Sequence, residues 1–136
     1  MTIVFRNSDL DTIVEHSENT FPTEACGVLL GTIEDDIKKV TIVFPTANLL
    51  ESEDSYQINP QEQLDIYTKA DELSLEVLGY YHSHPYWPAQ PSSTDRETAN
   101  QPSCSFVIYS NAEREVRSFH WDGFEFRPEE LAVSED

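Results

Sequence analysis

Basic residues are scarce in this chain. Lysine and arginine together number 8, against 26 aspartates and glutamates, for a formal net charge of −18. A surface of that sign repels phosphates and anionic membranes, and no basic stripe is present to reverse it. Nucleic acid and membrane partners are therefore not expected. With only three lysines, the acidity reads either as a heavily solvated surface or as adaptation to a salt-rich cell interior, where screening removes self-repulsion. Under the second reading the fold gains stability in molar salt. Cysteine is also scarce: Cys26 and Cys104 form no CxxC pair and are too few for a disulfide framework. Both are expected as reduced, buried thiols, with a thiol nucleophile the weaker competitor to the chemistry below. No apolar run approaches the eighteen residues of a membrane span. The start, Met1 to Arg6, lacks the pattern of a secretory signal, which implies a cytoplasmic protein.

What is present fits one globular domain of 136 residues, 38% hydrophobic and 11% aromatic. Residues 1–128 form the expected domain, and the acidic tail 129–136 is expected to fray. Thr2–Phe5 reads as a short strand, followed by a helix capped by Ser8 with Asp11 three residues on and ended by Pro22. The apolar run Ala25–Thr32 and the segment Lys39–Phe44 read as a hairpin turning near Glu34-Asp35-Asp36, and Tyr56–Ile58 as a further short strand. Asn59-Pro60 opens a second helix with Leu64, Tyr67 and Ala70 as its apolar face. Leu75–His84 and Ser105–Tyr109 are strands, separated by a proline-dense loop and a short helix over Ser93–Ala99. Arg114–Trp121 and Phe124–Arg127 flank Asp122-Gly123, a type I′ hairpin signal. Alternating helices and strands give an α/β or α+β class with a mixed sheet.

The chemistry concentrates in Tyr81-His82-Ser83-His84-Pro85 and Pro91-Ser92-Ser93-Thr94-Asp95. Residues two apart on a strand face the same way, so His82 and His84 present two imidazoles to one spot. Pro85 ends the strand, and the loop can return Asp95 to meet them. Two nitrogens and a carboxylate oxygen make three protein ligands for zinc, leaving a fourth position for water, as in catalytic sites. A carboxylate must then handle the water's proton, and Glu24, at the entry to an apolar strand, is the candidate. Ser92 is placed to donate to an oxyanion. Blander readings exist for the parts: two histidines on a strand as a structural pair, Ser92-x-x-Asp95 as a helix capping box, Glu24 as a surface carboxylate. The joint pattern H-x-H-P-x6-S-x2-D is another matter, since background usage yields on the order of one chance match in a hundred thousand chains of this length.

With Glu24 upstream, these residues resemble the JAMM/MPN-plus (Mov34/PAD-type) family of zinc metallopeptidases. Thr23 to Gly31 looks like that family's glutamate strand, Gly79-Tyr80-Tyr81 like its approach to the histidines, and the likeness runs from about residue 3 to 127. The resemblance implies a deaminase-like α/β sandwich with a curved mixed sheet flanked by helices. It implies one zinc ion with a bound water on His82, His84 and Asp95, with Glu24 and Ser92 catalytic. Short prokaryotic members of this family process ubiquitin-fold proteins, including sulfur carriers. The implied reaction is hydrolysis of the peptide or isopeptide bond after a C-terminal Gly-Gly, in one group releasing cysteine. Tyr86 and Trp87 are candidates for a hydrophobic wall beside the slim tail, or for ordinary loop packing. His16 and His120 read as surface or packing residues, and Cys26 as core. Two alternatives stay open: a RadC-like DNA-repair-associated protein, disfavoured by the charge and the lack of a DNA-binding segment, and a non-catalytic MPN scaffold, disfavoured by the complete ligand set. The oligomeric state is not encoded in any motif.

Overall fold

The computed structural model describes residues 1–135. In chain order the elements are β1 (Thr2–Arg6), α1 (Asn7–Thr20), β2 (Cys26–Glu34), β3 (Ile37–Thr46), α2 (Pro60–Leu73), β4 (Glu76–His84), α3 (Ser93–Thr98), β5 (Ser105–Ser110), β6 (Glu115–Trp121) and β7 (Phe126–Ser134). The strands lie in the order β1-β3-β2-β4-β5-β6-β7. Pairings β1–β3 and β4–β5 are parallel, whereas β2 is antiparallel to both β3 and β4. The two ends of this order also meet, β1 running parallel to β7, so the curved mixed sheet closes on itself. This is the expected α/β sheet flanked by helices.

Strand alternation divides the interior in two. On β2, Leu29 joins Ile3, Phe5, Leu78, Tyr81 and Val107 in one cluster, covered by α1 through Ile13. Val28 and Leu30 point the other way, into a cluster with Tyr80, Phe106 and Trp121, covered by α2 through Ile66 and Ala70. Burial on both faces explains why β2 reads as a continuous apolar run. Gly27 is required where it stands, because a Cβ there would come within 2.1 Å of the Tyr81 ring.

Several local expectations need correction. The first helix starts at Asn7, and its cap pairs Arg6 with Asp9 rather than Ser8 with Asp11: the Arg6 amide and guanidinium both reach the Asp9 carboxylate. The apolar face of α2 centres on Ile66 and Ala70, while Leu64 is exposed. Tyr56–Ile58 forms no strand, only an isolated bridge between Asn48 and Ile58. The type I′ geometry falls at Asp35-Asp36, both at positive φ between the paired Glu34 and Ile37. At Asp122-Gly123 only the glycine has positive φ, and Trp121 pairs with Phe126 around a longer loop. There the Asp122 carboxylate accepts hydrogen bonds from the amides of Phe124 and Glu125.

The largest correction concerns the acidic segment from Glu129. Instead of fraying, it continues β7 to Ser134, paired with β6 and β1. Glu129 is buried because its partner is: the Lys38 ammonium lies 3.4 Å from Glu129 Oε2, with both side chains fully enclosed. Lys38 also donates to Ser105 Oγ at 2.6 Å and meets His120 Nδ1 at 3.2 Å. The hydroxyls of Ser105 and Ser118 each donate to Glu129 Oε1 at 2.7 Å. Burial and the neighbouring ammonium both push the His120 imidazole below its ordinary range. Asp136 lies outside the described residues.

Candidate metal centre

The register of β2 against β4 builds the site. Cys26 pairs with His82, and beyond it the Ser83 amide donates to the Ala25 carbonyl at 3.1 Å. Continued in antiparallel register, this sets Glu24 opposite His84, so Glu24, Cys26, His82 and His84 share one face. Ser83 adds a second tie, its Oγ accepting the Ala25 amide at 2.7 Å. The Glu24 backbone is held as well: its amide donates to the Ser52 carbonyl at 2.8 Å, and Asn48 Nδ2 donates to its carbonyl at 3.2 Å.

Asp95 arrives from the first turn of α3. The expected capping box is present: Ser92 Oγ accepts the Asp95 amide at 3.0 Å, and the Ser92 amide donates to Asp95 Oδ2 at 2.9 Å. The same Oδ2 stands 3.1 Å from His82 Nε2 and 3.2 Å from His84 Nε2, and those two nitrogens are 3.1 Å apart. Capping and ligation are thus one arrangement, in which the cap orients the carboxylate for the histidines. Ser92 keeps its own O–H free for another acceptor.

The chemistry of this triangle suits a cation. The Pro88 carbonyl lies 2.9 Å from His84 Nδ1 and can only accept, so that nitrogen carries the hydrogen. With a cation bound, the Nε2 lone pair of His84 would face the ion; with none, a hydrogen on Nε2 can instead be donated to Asp95 Oδ2 at 3.2 Å. The edges of 3.1–3.2 Å are close to the roughly 3.3–3.6 Å that tetrahedral zinc with bonds of about 2.0–2.2 Å would give. His82 Nδ1 is buried without a partner, and the Tyr56 ring stacks on His82 with centroids 4.7 Å apart. Burial alone would raise the Asp95 carboxyl, but the His82 charge and hydrogen bonds from His82, His84 and the Ser92 amide outweigh it and hold it well below the usual carboxylate range. Among the described residues, His82, His84 and Asp95 are the cluster suited to hold a metal, and their donor set fits zinc.

Glu24 is 3% exposed and its Oε1 has no hydrogen-bond partner. Burial, then the charges of Asp95 and Asp54, push its carboxyl up to about 9. It lines a cavity of about 180 Å³ together with His84, Ser92, Trp87 and Asp54. A second cavity, of about 220 Å³, opens on the Asp95 side between Tyr56, Ile58, Tyr80, Asn100 and Gln101. Cys26 faces the same side as the histidines, but burial raises its thiol to about 11, so it packs as a neutral group. Tyr86 and Trp87 stand out of the surface, 50% and 49% exposed. His16 binds the Tyr81 hydroxyl at 2.7 Å, away from the centre.

Sequence reasoning missed the Pro88 carbonyl, Tyr56, Asp54 and the tie through Ser83. Of these only Ser83 had a visible signal, because an inward hydroxyl between two ligands on a strand must find a backbone partner.

Comparison with known proteins identifies the family. Residues 6–122 match the family described as prokaryotic homologs of the JAB domain. The chain is 35% identical over 129 residues to a desampylase of Haloferax volcanii, covering 94% of this chain and 91% of that one. It is 31% identical over 120 residues to the CysO-cysteine peptidase of Mycobacterium tuberculosis, covering 86% and 81%. The solution structure of a protein from Desulfitobacterium hafniense superposes with a TM-score of 0.90 at 32% identity, covering all of this chain and 94% of the other. The chain belongs to the prokaryotic JAB-domain family, a branch of the JAMM/MPN-plus proteins.

Proposed function

We propose that this protein is a zinc-dependent peptidase that hydrolyses, in the cytoplasm, the amide bond after the C-terminal Gly-Gly of a ubiquitin-fold or sulfur-carrier protein. His82, His84 and Asp95 would hold one zinc ion per chain, Glu24 would handle protons and Ser92 would steady the oxyanion. The observation that carries the reading is the orphaned Glu24 carboxyl in a cavity shared with His84 and Ser92. The naming of relatives as a desampylase and a CysO-cysteine peptidase supports the substrate class.

When bound, the ion supplies a Lewis acid that makes water nucleophilic near neutral pH. Everything else falls to the chain. A nearby cation draws the Glu24 carboxyl down from its raised value, so that it accepts the water's proton and returns it to the leaving nitrogen. The Ser92 hydroxyl donates to the carbonyl oxygen as negative charge develops there. Because Glu24 delivers the proton, the leaving group belongs in the cavity it lines. The carrier tail then takes the cavity on the Asp95 side, where Tyr56 and Ile58 form one wall. Gly-Gly suits that slot, since an extended pair spans about 7 Å and has no Cβ to clash. Trp87 lines the leaving-group cavity, with Tyr86 edge-on to it at the surface.

The test is to load the protein with zinc and incubate it with purified ubiquitin-fold proteins extended past Gly-Gly, reading products by mass spectrometry. Cleavage after the second glycine, stopped by chelator and absent in His84→Ala together with its zinc, is the expected result. No zinc binding by titration, or cleavage that survives chelation, would overturn the proposal.

A further inference from the structure

The cavity shared by Glu24, His84 and Ser92 is bounded by Asp54 and Trp87 and continues along Ser93 and Thr94. Two carboxylates face it and no lysine or arginine does. Glu24 lines it, and its Oε1 is buried without a hydrogen-bond partner. Ser52 positions Asp54 beside it: the Ser52 hydroxyl donates to Asp54 Oδ1 at 2.8 Å, while the Ser52 carbonyl accepts the Glu24 amide at 2.8 Å. Trp87 is anchored through its carbonyl, which accepts Ser110 Oγ at 2.6 Å, and leaves its ring half exposed. From that ring an aromatic ridge runs to Tyr86 and on to Phe21, with centroids 5.9 and 5.5 Å apart, each edge-on to the next.

We propose, resting on the hydrolase reading above, that this cavity receives the leaving group and selects the ε-amine of a protein lysine over the α-amine of a free amino acid such as cysteine. Hydrolysis breaks the C–N bond, adds the water's oxygen to the glycine carbonyl carbon, and yields a carboxylate and an ammonium. A lysine brings four uncharged methylenes, which pack along the Trp87 ring, and its new ammonium forms between Glu24 and Asp54. A free amino acid carries its own carboxylate two bonds from the scissile nitrogen. That negative charge would be brought beside Asp54 at the exposed mouth of the cavity, where like charges repel. The ridge of Trp87, Tyr86 and Phe21 then contacts the protein surface around the target lysine, a surface that a free amino acid lacks.

The experiment compares three conjugates of one Gly-Gly carrier: to the ε-amine of a lysine within a peptide, to free cysteine, and to cysteinamide, which lacks the carboxylate. The zinc-loaded wild type is expected to cleave the lysine conjugate at least about tenfold faster than the cysteine conjugate, with cysteinamide in between. Asp54→Asn keeps the oxygen that Ser52 binds and should shift the lysine-to-cysteine ratio about tenfold toward cysteine. Trp87→Ala should raise KM for the lysine conjugate more than it lowers kcat. A wild type that prefers cysteine, or that treats cysteine and cysteinamide alike, overturns the inference while leaving the hydrolase reading intact; an Asp54→Asn ratio that does not move does the same. Failure to cleave any of the three conjugates removes the hydrolase reading and the inference with it.

Discussion

Two buried charged clusters occupy opposite ends of this sheet, and they are built on opposite principles. At one end Lys38 and Glu129 are fully enclosed, and Ser105, Ser118 and His120 supply further partners. At the other end Glu24 and His82 are just as deeply buried, yet Glu24 Oε1 and His82 Nδ1 have none. A buried polar group without a partner costs stability, so the second cluster is open to completion by a group from outside the chain. Burial alone does not separate the two clusters; their hydrogen-bond partners do. The Lys38 cluster would draw the eye in a list of buried ionisable residues, but every partner it needs is already inside the protein.

The comparison breaks most visibly at Glu24. Glu24→Gln should keep zinc, measured by metal titration, while lowering turnover by about 10²–10⁴-fold, the range for loss of a general acid-base group. The metal-free forms give a second readout. With its pKa raised from 4.5 to about 9, the wild-type carboxyl stays protonated in the fold where the unfolded chain would ionise. Its contribution to stability is complete below pH 4.5 and is lost progressively as pH climbs to about 9. The stability gap between Glu24→Gln and wild type should therefore widen in favour of the variant across that window. A gap that is flat with pH in denaturant titrations would mean the carboxyl is not desolvated.

At the paired end the expectation reverses. Lys38→Met strips Glu129 of its counter-charge and should cost about 3–5 kcal/mol of stability, while the double variant Lys38→Met, Glu129→Leu should recover most of it. Zinc affinity and turnover per folded molecule should stay near wild type in both. Chemical denaturation and kinetics on the soluble fraction read the two separately. A smaller effect is expected at Tyr56→Leu, which removes the ring stacked on His82. The loss of about 0.5–1.5 kcal/mol should appear as a zinc affinity weakened by up to about tenfold. Smallest is the response to salt: with a net charge of −18, raising potassium chloride to about 1 M shortens the Debye length to about 3 Å and should lift the melting temperature by a few degrees. A flat or falling melting temperature would remove the idea that the acidic surface is adapted to salt.

Much of the site was legible because it is written in local periodicities. Two ligands one residue apart on a strand, and a Ser-x-x-Asp at a helix start, each follow from the geometry of a single element. Pairings between distant segments were not legible. Glu24 faces His84 only through the β2–β4 register, with β3 and α2 lying between them in the chain. The Pro88 carbonyl is backbone and has no side-chain signature, and Tyr56 sits in an irregular stretch without a period to read. The strand past Glu129 was missed for a related reason: a glutamate among acidic residues looks solvated until Lys38, 91 residues earlier, is brought against it. The turn was misplaced because two consecutive aspartates took the left-handed conformation that an Asp-Gly pair usually supplies.

Ser83, between the two histidines, grips the Ala25 amide next to Glu24. The two histidines and Glu24 are therefore brought together by one strand pairing, and strands slipped by one residue would carry the glutamate to the wrong side. A newly made or damaged copy of this protein would then be inert toward its neighbours until its sheet is correctly closed. In a member of this hydrolase family, an assembled site is thereby also a report of a correctly registered sheet.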